Sequence, residues 1–315
     1  EKFIRKTIES VIKQKNPNTE LILVNDKSTD LSKKICISYK KKYKFIKLFN
    51  NKKNLGVGFS RNLGIKKARG KYVVFLDSDD ALLENSLNNL EKFITINNSP
   101  DVIPVRYQKI TYPQNNYKFI KDNKKNHDVK KLIKYVLSEK IPFSDCWFFV
   151  FRRKFLNYNK IYFPNSRFGE SEIFVAKTIC YMQSFACFQK KFYHKKDRLN
   201  SLTHSSDYET TFSILNNLTQ FNIFYNQNNF SKLKKKFLNN YIQGIFGVFT
   251  ALIVLRDRKE ILKISKILEK NKSQLKSFSK YPEKIDLKKL INNYGSFQGL
   301  LKYLEMIKKN KLIKI

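Results

Sequence analysis

NLGVGFSRNLGIKKARGKYVVFLDSDD, residues 54–80, carries a helix, a stop, a buried strand and an acidic tip in one run. A polar loop, NNKKNLG, leads into a helix over Val57 to Ala68. Gly70 ends it, and Lys71 to Leu76 (KYVVFL) is a nearly continuous apolar strand of the kind buried on both faces. Asp77, Ser78, Asp79 and Asp80 follow the strand directly.

Outward from this stretch the same alternation continues. Upstream, Ile4, Ile8, Val11 and Ile12 share one helical face over residues 3 to 14, and Asn16-Pro17-Asn18 breaks the helix. Glu20 to Val24 is a short apolar strand ending at Asn25-Asp26. Ser28 or Asp30 can cap the next helix, which carries Leu31, Ile35, Tyr39 and Tyr43 at four-residue spacing, and Phe45 to Phe49 is a second strand. Downstream, Leu83, Leu87, Leu90 and Ile94 mark a helix. Asp101 to Val105 is a fourth strand, with Pro104 arguing for an edge position or an early end. Strands alternating with helices in this rhythm predict an α/β fold with a doubly wound, mostly parallel sheet, whose ligands bind at the carboxyl ends of the strands.

The middle of the chain is mixed. Val129, Leu132, Ile133, Val136 and Leu137 form a helical face, Cys146 to Phe151 is a buried strand or platform, Glu170 to Tyr181 a helix, and Phe185 to Tyr193 a strand. From about Asp207 the pattern is helical and rich in Lys, with faces such as Phe237, Tyr241, Ile245 and Val248, or Ile261, Ile264 and Leu268. A boundary near residue 205 divides an α/β domain over 1–205 from a basic helical region over 206–315.

The 315 residues are 42% hydrophobic and 28% charged, enough for a sizeable core and against disorder along the whole length. Cys36, Cys146, Cys180 and Cys187 make no CxxC or Cys/His cluster, so reduced thiols are expected rather than a disulfide scaffold or thiolate zinc site. The net charge is +37, from 63 basic and 26 acidic residues. It points to polyanions: nucleic acid, anionic lipid or a diphosphate ligand. A chain rich in Lys, Asn, Ile, Phe and Tyr is equally what an AT-rich coding sequence writes onto a solvated surface. The longest apolar segment, Ile242 to Leu255, is too short and too polar for a membrane-spanning helix.

Three islands of polar residues follow or flank the strands. The acidic tip repels itself unless a cation or donor-rich ligand compensates, and hard oxygen ligands suit Mg²⁺ or Mn²⁺ shared with a substrate phosphate; a solvated turn with a helix cap is the plainer alternative. Asp26 can accept from a base N–H or a ribose hydroxyl, or simply close a turn. Arg61, within FSRNLG, can fork onto a diphosphate, or be one surface charge among many.

Taken in order, TIESVIKQ, ELILVNDKSTD and the 54–80 stretch resemble the nucleotide-sugar-binding half of family 2 glycosyltransferases with the GT-A fold, over roughly residues 1–105. A weaker resemblance runs on to about residue 204 through DCWFFVFRR, RFGESEIF and KDRLNSLTHS, making 106–205 the acceptor and catalytic half. The resemblance implies a metal-dependent enzyme moving a sugar, usually from a UDP-sugar, to an acceptor hydroxyl with inversion. It resembles bacterial enzymes of capsule, lipooligosaccharide and other surface polysaccharide or glycolipid assembly.

By the same resemblance Asp26 binds the base, while Arg61, Asp77 and Ser78 lie at the nucleotide. Asp77 and Asp79 are the acids of the DxD motif, with Asp79 on Mn²⁺ or Mg²⁺. Arg198 helps hold the diphosphate in a segment that includes Ser201 and His204, with His204 near the metal. Trp147 and Asp80 line the sugar or acceptor pocket, with plain core packing the alternative for Trp147. The family's catalytic base is the Asp of an E-D-x-x-F pattern. Here the match is Glu170-Ser171-Glu172-Ile173-Phe174, with Ser at the Asp position, so the base falls to Glu172 or Glu170.

The family also opens with an apolar strand, whereas this sequence begins at the helix after it, with Glu1 rather than Met; the strand either lies upstream or is absent from the protein, and a targeting segment upstream is compatible with this start. The expected setting is cytoplasmic, with peripheral contact of the basic region on the anionic inner face of the cell membrane. Two other readings remain: a non-catalytic nucleotide-sugar-binding module of the same fold, and charge-driven binding to nucleic acid, against which stands the lack of a recognition motif.

Overall fold

The computed structural model describes residues 1–109, 128–139, 145–166, 169–196 and 208–242. The chain divides into two compact units: Glu1–Asn165 with Glu170–Ser201, and the remainder.

The first unit opens with helix α1 (Ile4–Ile12), which stands between two cores. Ile8 belongs to a cluster with Leu23, Cys36, Tyr39 and Ile46. Val11, one turn on, belongs to a second with Leu82, Leu90, Ile103, Trp147, Val150, Phe192 and Tyr193. Each fully buried aliphatic side chain of this size contributes about 1.5–3 kcal/mol relative to exposure. Strand β1 (Leu21–Asn25) pairs in parallel with β2 (Ile46–Asn50), Leu21 opposite Ile46 and Asn25 opposite Asn50. Helix α2 (Ser32–Lys42) joins them. Neither expected cap holds the position: the N-cap is Leu31, without a side-chain cap bond, and Asp30 just before it accepts from the Ser32 N–H at 3.0 Å.

Helix α3 (Val57–Lys67) then leads to β3 (Tyr72–Val74), shorter than the apolar run that encodes it. Next come the short β4 (Ala81–Leu82), helix α4 (Ser86–Ile96) and β5 (Val102–Lys109). Helix α5 (Val129–Glu139), a 3₁₀ turn at Cys146–Phe148, strand β6 (Phe149–Arg152), helices α6 (Arg153–Tyr158) and α7 (Glu170–Tyr181), and β7 (Phe188–Lys195) complete the unit.

The α/β class holds, with helices flanking a central sheet, but the pairing is mixed rather than mostly parallel. β1 and β2 form one ladder; the other five strands lie in the order β3-β6-β5-β7-β4. β5 and β7 are parallel, whereas β6 is antiparallel to both β3 and β5, and β4 to β7. The reversed strands are β6, in the second half, and the two-residue β4, which follows the acidic tip.

Pro104 also proves compatible with a central strand, since β5 lies third of five. It and the two residues before it, Val102 and Ile103, pair with β6 (Pro104 opposite Phe149), and toward β7 the ladder is broken between the Val102–Phe185 bridge and Val105–Phe188. The missing N–H thus falls where the ladder is already interrupted. The start of β5 is fixed by the buried Asp101, whose carboxylate pairs with Arg152 and accepts from the Gln183 and Ser184 N–H groups at 3.0 and 3.2 Å.

These directions have one consequence for the site. β3, β5 and β7 all run the same way, and β6 runs against them. The carboxyl ends of β3 and β7 and the amino end of β6 therefore share one edge of the sheet.

In the second unit, helix α8 (Tyr208–Gln227) and a helical segment over 232–242 follow one another, with Leu218, Phe221, Phe237 and Leu238 buried and the Phe221 and Tyr241 rings 6.2 Å apart. The helical expectation from Asp207 holds over these residues. Residues 243–315, with Ile245, Val248, Ile261, Ile264 and Leu268, lie outside the described residues. Among the described residues no helix is long and apolar enough to cross a membrane.

Candidate active site

Three consecutive residues of α3 tie three parts of the first unit together. Ser60 Oγ accepts from Asn51 Nδ2 at 3.2 Å, and the same amide donates to Asp26 Oδ1 at 2.7 Å. Arg61 crosses to the acidic tip and to α7. Asn62 clamps the backbone of Phe163 from both sides, donating to its carbonyl and accepting from its N–H, each at 2.9 Å. The helix can approach so closely only because of Gly58: a Cβ there would lie 2.6 Å from the Pro164 carbonyl oxygen.

Asp26, at the tip of β1, organises the loop before α3. Besides Asn51, it accepts from the backbone N–H groups of Leu55 and Gly56 at 2.9 and 2.7 Å. Gly56 takes φ 90°, a conformation that favours glycine. A carboxylate offers about four acceptor positions, so three bonds leave room for one more donor.

At the tip of β3, Arg61 is the centre of a buried charge group. Its guanidinium lies 2.8 Å from Asp77 Oδ1 and 2.5 Å from Glu170 Oε1, and donates to Ser171 Oγ at 3.0 Å. It also sits over the Phe163 ring, 5.3 Å from the centroid. Phe163 in turn stacks on Phe174 at 3.9 Å. Lys195, at the end of β7, closes the other side: its Nζ lies 3.4 Å from Asp77 Oδ2 and 3.1 Å from Asp80 Oδ2. Burial alone would raise the Asp77 carboxyl, but Arg61 and Lys195 outweigh it and hold the group below its ordinary range. Burial would likewise depress Lys195, and the Asp77 and Asp80 charges reverse that and raise it.

The acidic loop is fixed from two directions. From α1, the Thr7 hydroxyl lies 3.0 and 2.8 Å from the Ser78 and Asp80 carbonyl oxygens. From β7, the Tyr193 hydroxyl accepts from the Asp77 N–H and donates to Asp80 Oδ2 at 2.8 Å. Asp80 is buried with both oxygens in use, its Oδ1 taking the Lys196 N–H at 2.8 Å; that makes it an anchor of the loop rather than the lining of an open pocket. Burial is the largest influence on it and leaves its carboxyl raised.

Trp147 is likewise in the core, 6% exposed, stacked on Phe148 and Tyr193, with Lys195 Nζ 5.2 Å above its ring. It packs in the core beneath the lysine. Ser78 is exposed and Asp79 half-buried. Arg198, Ser201 and His204 lie outside the described residues.

Around Ser171 the expected base position is occupied by a buried hydroxyl. Besides Arg61 it touches Glu170 Oε1 at 3.3 Å and Cys146 Sγ at 3.5 Å. Burial pushes the Cys146 thiol up to about 12, so it is no thiolate. All four cysteines are buried and unbridged. Glu172, half-buried on α7, is pushed up to about 8 by burial and then by the charges of Asp145 and Glu170. Asp145, just before the 3₁₀ turn, is raised to about 6 by burial, with Asp77, Lys195, Arg61 and Glu170 acting on it in turn.

Sequence reasoning thus brought together Arg61, Asp77, Asp80, Glu170 and Ser171, with Asp26 joined to them through α3. It missed Lys195, Tyr193 and Asp145. Polar residues were sought after strands, and Asp145 precedes one; in an antiparallel strand the amino end lies at the ligand edge.

As for a divalent cation, no group of three or more His, Cys, Asp or Glu side chains among the described residues could hold one alone. Hard cations of this kind are held by one or two carboxylates and substrate phosphates. Asp79, on the same fixed loop as Asp77, fits that shared mode.

The profile of glycosyl transferase family 2 matches residues 1–158, half of the chain. The chain belongs to this family. An uncharacterized glycosyltransferase of Rickettsia bellii is 50% identical over 93 residues, 29% of this chain and 13% of that protein. The minor teichoic acid biosynthesis protein GgaB of Bacillus subtilis is 42% identical over 95 residues, 30% of this chain and 11% of that one. The matched stretch spans only 11% to 38% of these and a third relative, from Haemophilus influenzae.

Among solved structures, residues 1–349 of TarS from S. aureus superpose with a TM-score of 0.69 at 18% identity, over 100% of this chain and 89% of that chain. The same protein in complex with UDP-GlcNAc gives 0.64 at 19%, over 87% and 84%. These likenesses establish the GT-A fold of this family 2 member.

Proposed function

We propose that this chain transfers a sugar from a nucleotide donor, a UDP-sugar, to a hydroxyl of a glycan or lipid-linked glycan acceptor, with inversion, during assembly of a cell-surface polymer. The observation that carries the reading is the convergence of Arg61, Lys195 and Asp77 on the sheet edge, with α3 linking them to Asp26. The UDP-GlcNAc complex of TarS and the teichoic acid role in the name of the Bacillus relative support the donor and the polymer class.

In this reading Asp26 spends its remaining acceptor position on a base N–H. Asp77 and Ser78 meet the ribose, Arg61 and Lys195 face the diphosphate, and the family resemblance assigns Arg198 to the same group. Asp79, with Asp77, holds Mn²⁺ or Mg²⁺. The ion, when bound, neutralises charge growing on the departing diphosphate. The chain's own cations do the same from fixed positions, which costs no reorganisation during the reaction. The acceptor proton passes to a carboxylate near Ser171; of the two glutamates that the resemblance offers for this role, Glu170 is already held by Arg61. Residues 1–205 form the transferase domain, and the basic region 206–315 lies on the anionic inner membrane face, which flotation with anionic and neutral liposomes tests.

The rival within the fold is a module that binds nucleotide-sugar without turning it over, favoured by the serine at the base position. Nucleotide release from UDP-sugars with Mn²⁺ separates the two: release above the uncatalysed rate supports the enzyme, and binding without release supports the module.

A further inference from the structure

Ser171 cannot take a proton near neutral pH, so an inverting transferase built on this chain needs another carboxylate at the same place. We infer that Asp145 is the catalytic base: its carboxylate accepts the proton of the attacking hydroxyl at the sheet edge where Arg61, Asp77 and Lys195 meet. The inference rests on the transferase reading above and deepens it.

The first support is topological. Val74 near the end of β3 stands opposite Val150 near the start of β6, so the chain segment before β6 lies beside the segment after β3. Asp145 and Asp77 are thereby brought to one edge, and Lys195 joins them from β7. The second is local. Asp145 immediately precedes Cys146, whose sulfur lies 3.5 Å from Ser171 Oγ, and its carbonyl accepts the Phe148 N–H at 3.1 Å, which fixes the turn.

The third support is what surrounds the carboxylate. Among the described residues it takes no hydrogen bond and no ion pair, and it is half-buried, whereas Asp77, Asp80, Asp101 and Glu170 are all paired. The charged groups that reach it are Arg61 from α3, Asp77 after β3, Glu170 from α7 and Lys195 from β7. Glu172 is also unpaired among the described residues, but only Asp145 and Glu170 act on it. Of the two unpaired acids, Asp145 is thus the one in electrostatic contact with the cations that would hold the diphosphate. Its carboxyl, raised to about 6, is mostly ionised at pH 7, while Glu172, raised to about 8, is mostly neutral there.

The step balances without a further reactant. The acceptor oxygen bonds to the anomeric carbon as its proton moves to Asp145. The bond from that carbon to the diphosphate oxygen breaks, and its electron pair leaves with the nucleoside diphosphate. Asp145 then returns the proton to water.

The test is nucleotide release from a panel of UDP-, GDP-, CDP- and dTDP-sugars with Mn²⁺ and water as acceptor, from pH 5 to 8, beside calorimetric binding of the free nucleotides. Wild type is expected to release one nucleotide, with activity falling as pH drops through about 6, because the base must be ionised. Asp145→Asn should cut the rate by about 100-fold or more, remove that acid limb and bind nucleotide within about twofold of wild type; Asp145→Glu should recover part of the rate. Glu172→Gln should keep the acid limb where wild type has it. A full rate in Asp145→Asn, or loss of the acid limb in Glu172→Gln, overturns the assignment while leaving the transferase reading intact. Neither binding nor release by wild type across the panel overturns both.

Discussion

Two groups of acids sit on one sheet edge and are treated oppositely. Asp77, Asp80 and Glu170 are paired with Arg61, Lys195 and Tyr193, each within hydrogen-bonding or ion-pair distance. Asp145 and Glu172 have no such partners among the described residues, and both are pushed up, by burial first. The paired group shapes the site; the unpaired group can gain and lose a proton near neutral pH. A site that must both grip an anion and remove a proton needs both kinds.

The comparison breaks most severely at Arg61. Arg61→Met leaves Glu170 without its cation and Asp77 with Lys195 alone, and removing one partner of a buried pair costs about 3–5 kcal/mol. Urea unfolding should show the midpoint falling accordingly, and a loss under about 1 kcal/mol would mean that water already screens the group.

Next in size is Gly58→Ala. The added methyl meets the Pro164 carbonyl at 2.6 Å, and forced overpacking of this kind costs about 1–3 kcal/mol. Thermal melts should register it as a lowered midpoint, and an unchanged midpoint would mean that the Pro164 segment yields to the methyl.

A smaller effect sharpens the contrast directly. The folded Glu172 carboxyl lies above its ordinary value, so its contribution to stability is present at low pH and lost as pH rises toward about 8. Glu172→Gln escapes that loss. Its melting temperature should match wild type near pH 5 and exceed it at pH 8 by a few degrees, at about 2–4 °C per kcal/mol for a domain of this size. Equal melting temperatures at both values would show Glu172 to be solvated.

The first half of the fold was legible because its signals are local. The helix of Ile4, Ile8 and Val11, the strands Leu21–Asn25 and Tyr72–Val74, and the order of NLGVGFSRN and DSDD each depend on neighbouring residues. Arg61 could be singled out because one motif supplies it and the next supplies Asp77. The second half depends on pairing that periodicity does not reveal. Nothing in DCWFFVF says that β6 runs against β3, so nothing there marks Asp145 as a residue of the ligand edge. Nothing in KFYHKK says which lysine ends β7 beside Asp77, and Trp147 and Asp80 looked like pocket residues because burial by tertiary contacts leaves no mark in a tripeptide. Pro104 misled for the same reason, its N–H being dispensable only because the β5–β7 ladder is broken there.

The account stands most directly on the nucleotide grip at this edge, and calorimetric titration of UDP with Mn²⁺ into wild type and Asp79→Asn measures it. Asp79 is half-buried, so the substitution should leave stability within about 0.5 kcal/mol. The prediction is saturable binding by wild type that weakens at least about tenfold in Asp79→Asn, with little difference between the two when Mn²⁺ is withheld. Absence of UDP binding by folded wild type, or equal Mn²⁺-supported affinity in both proteins, would contradict it.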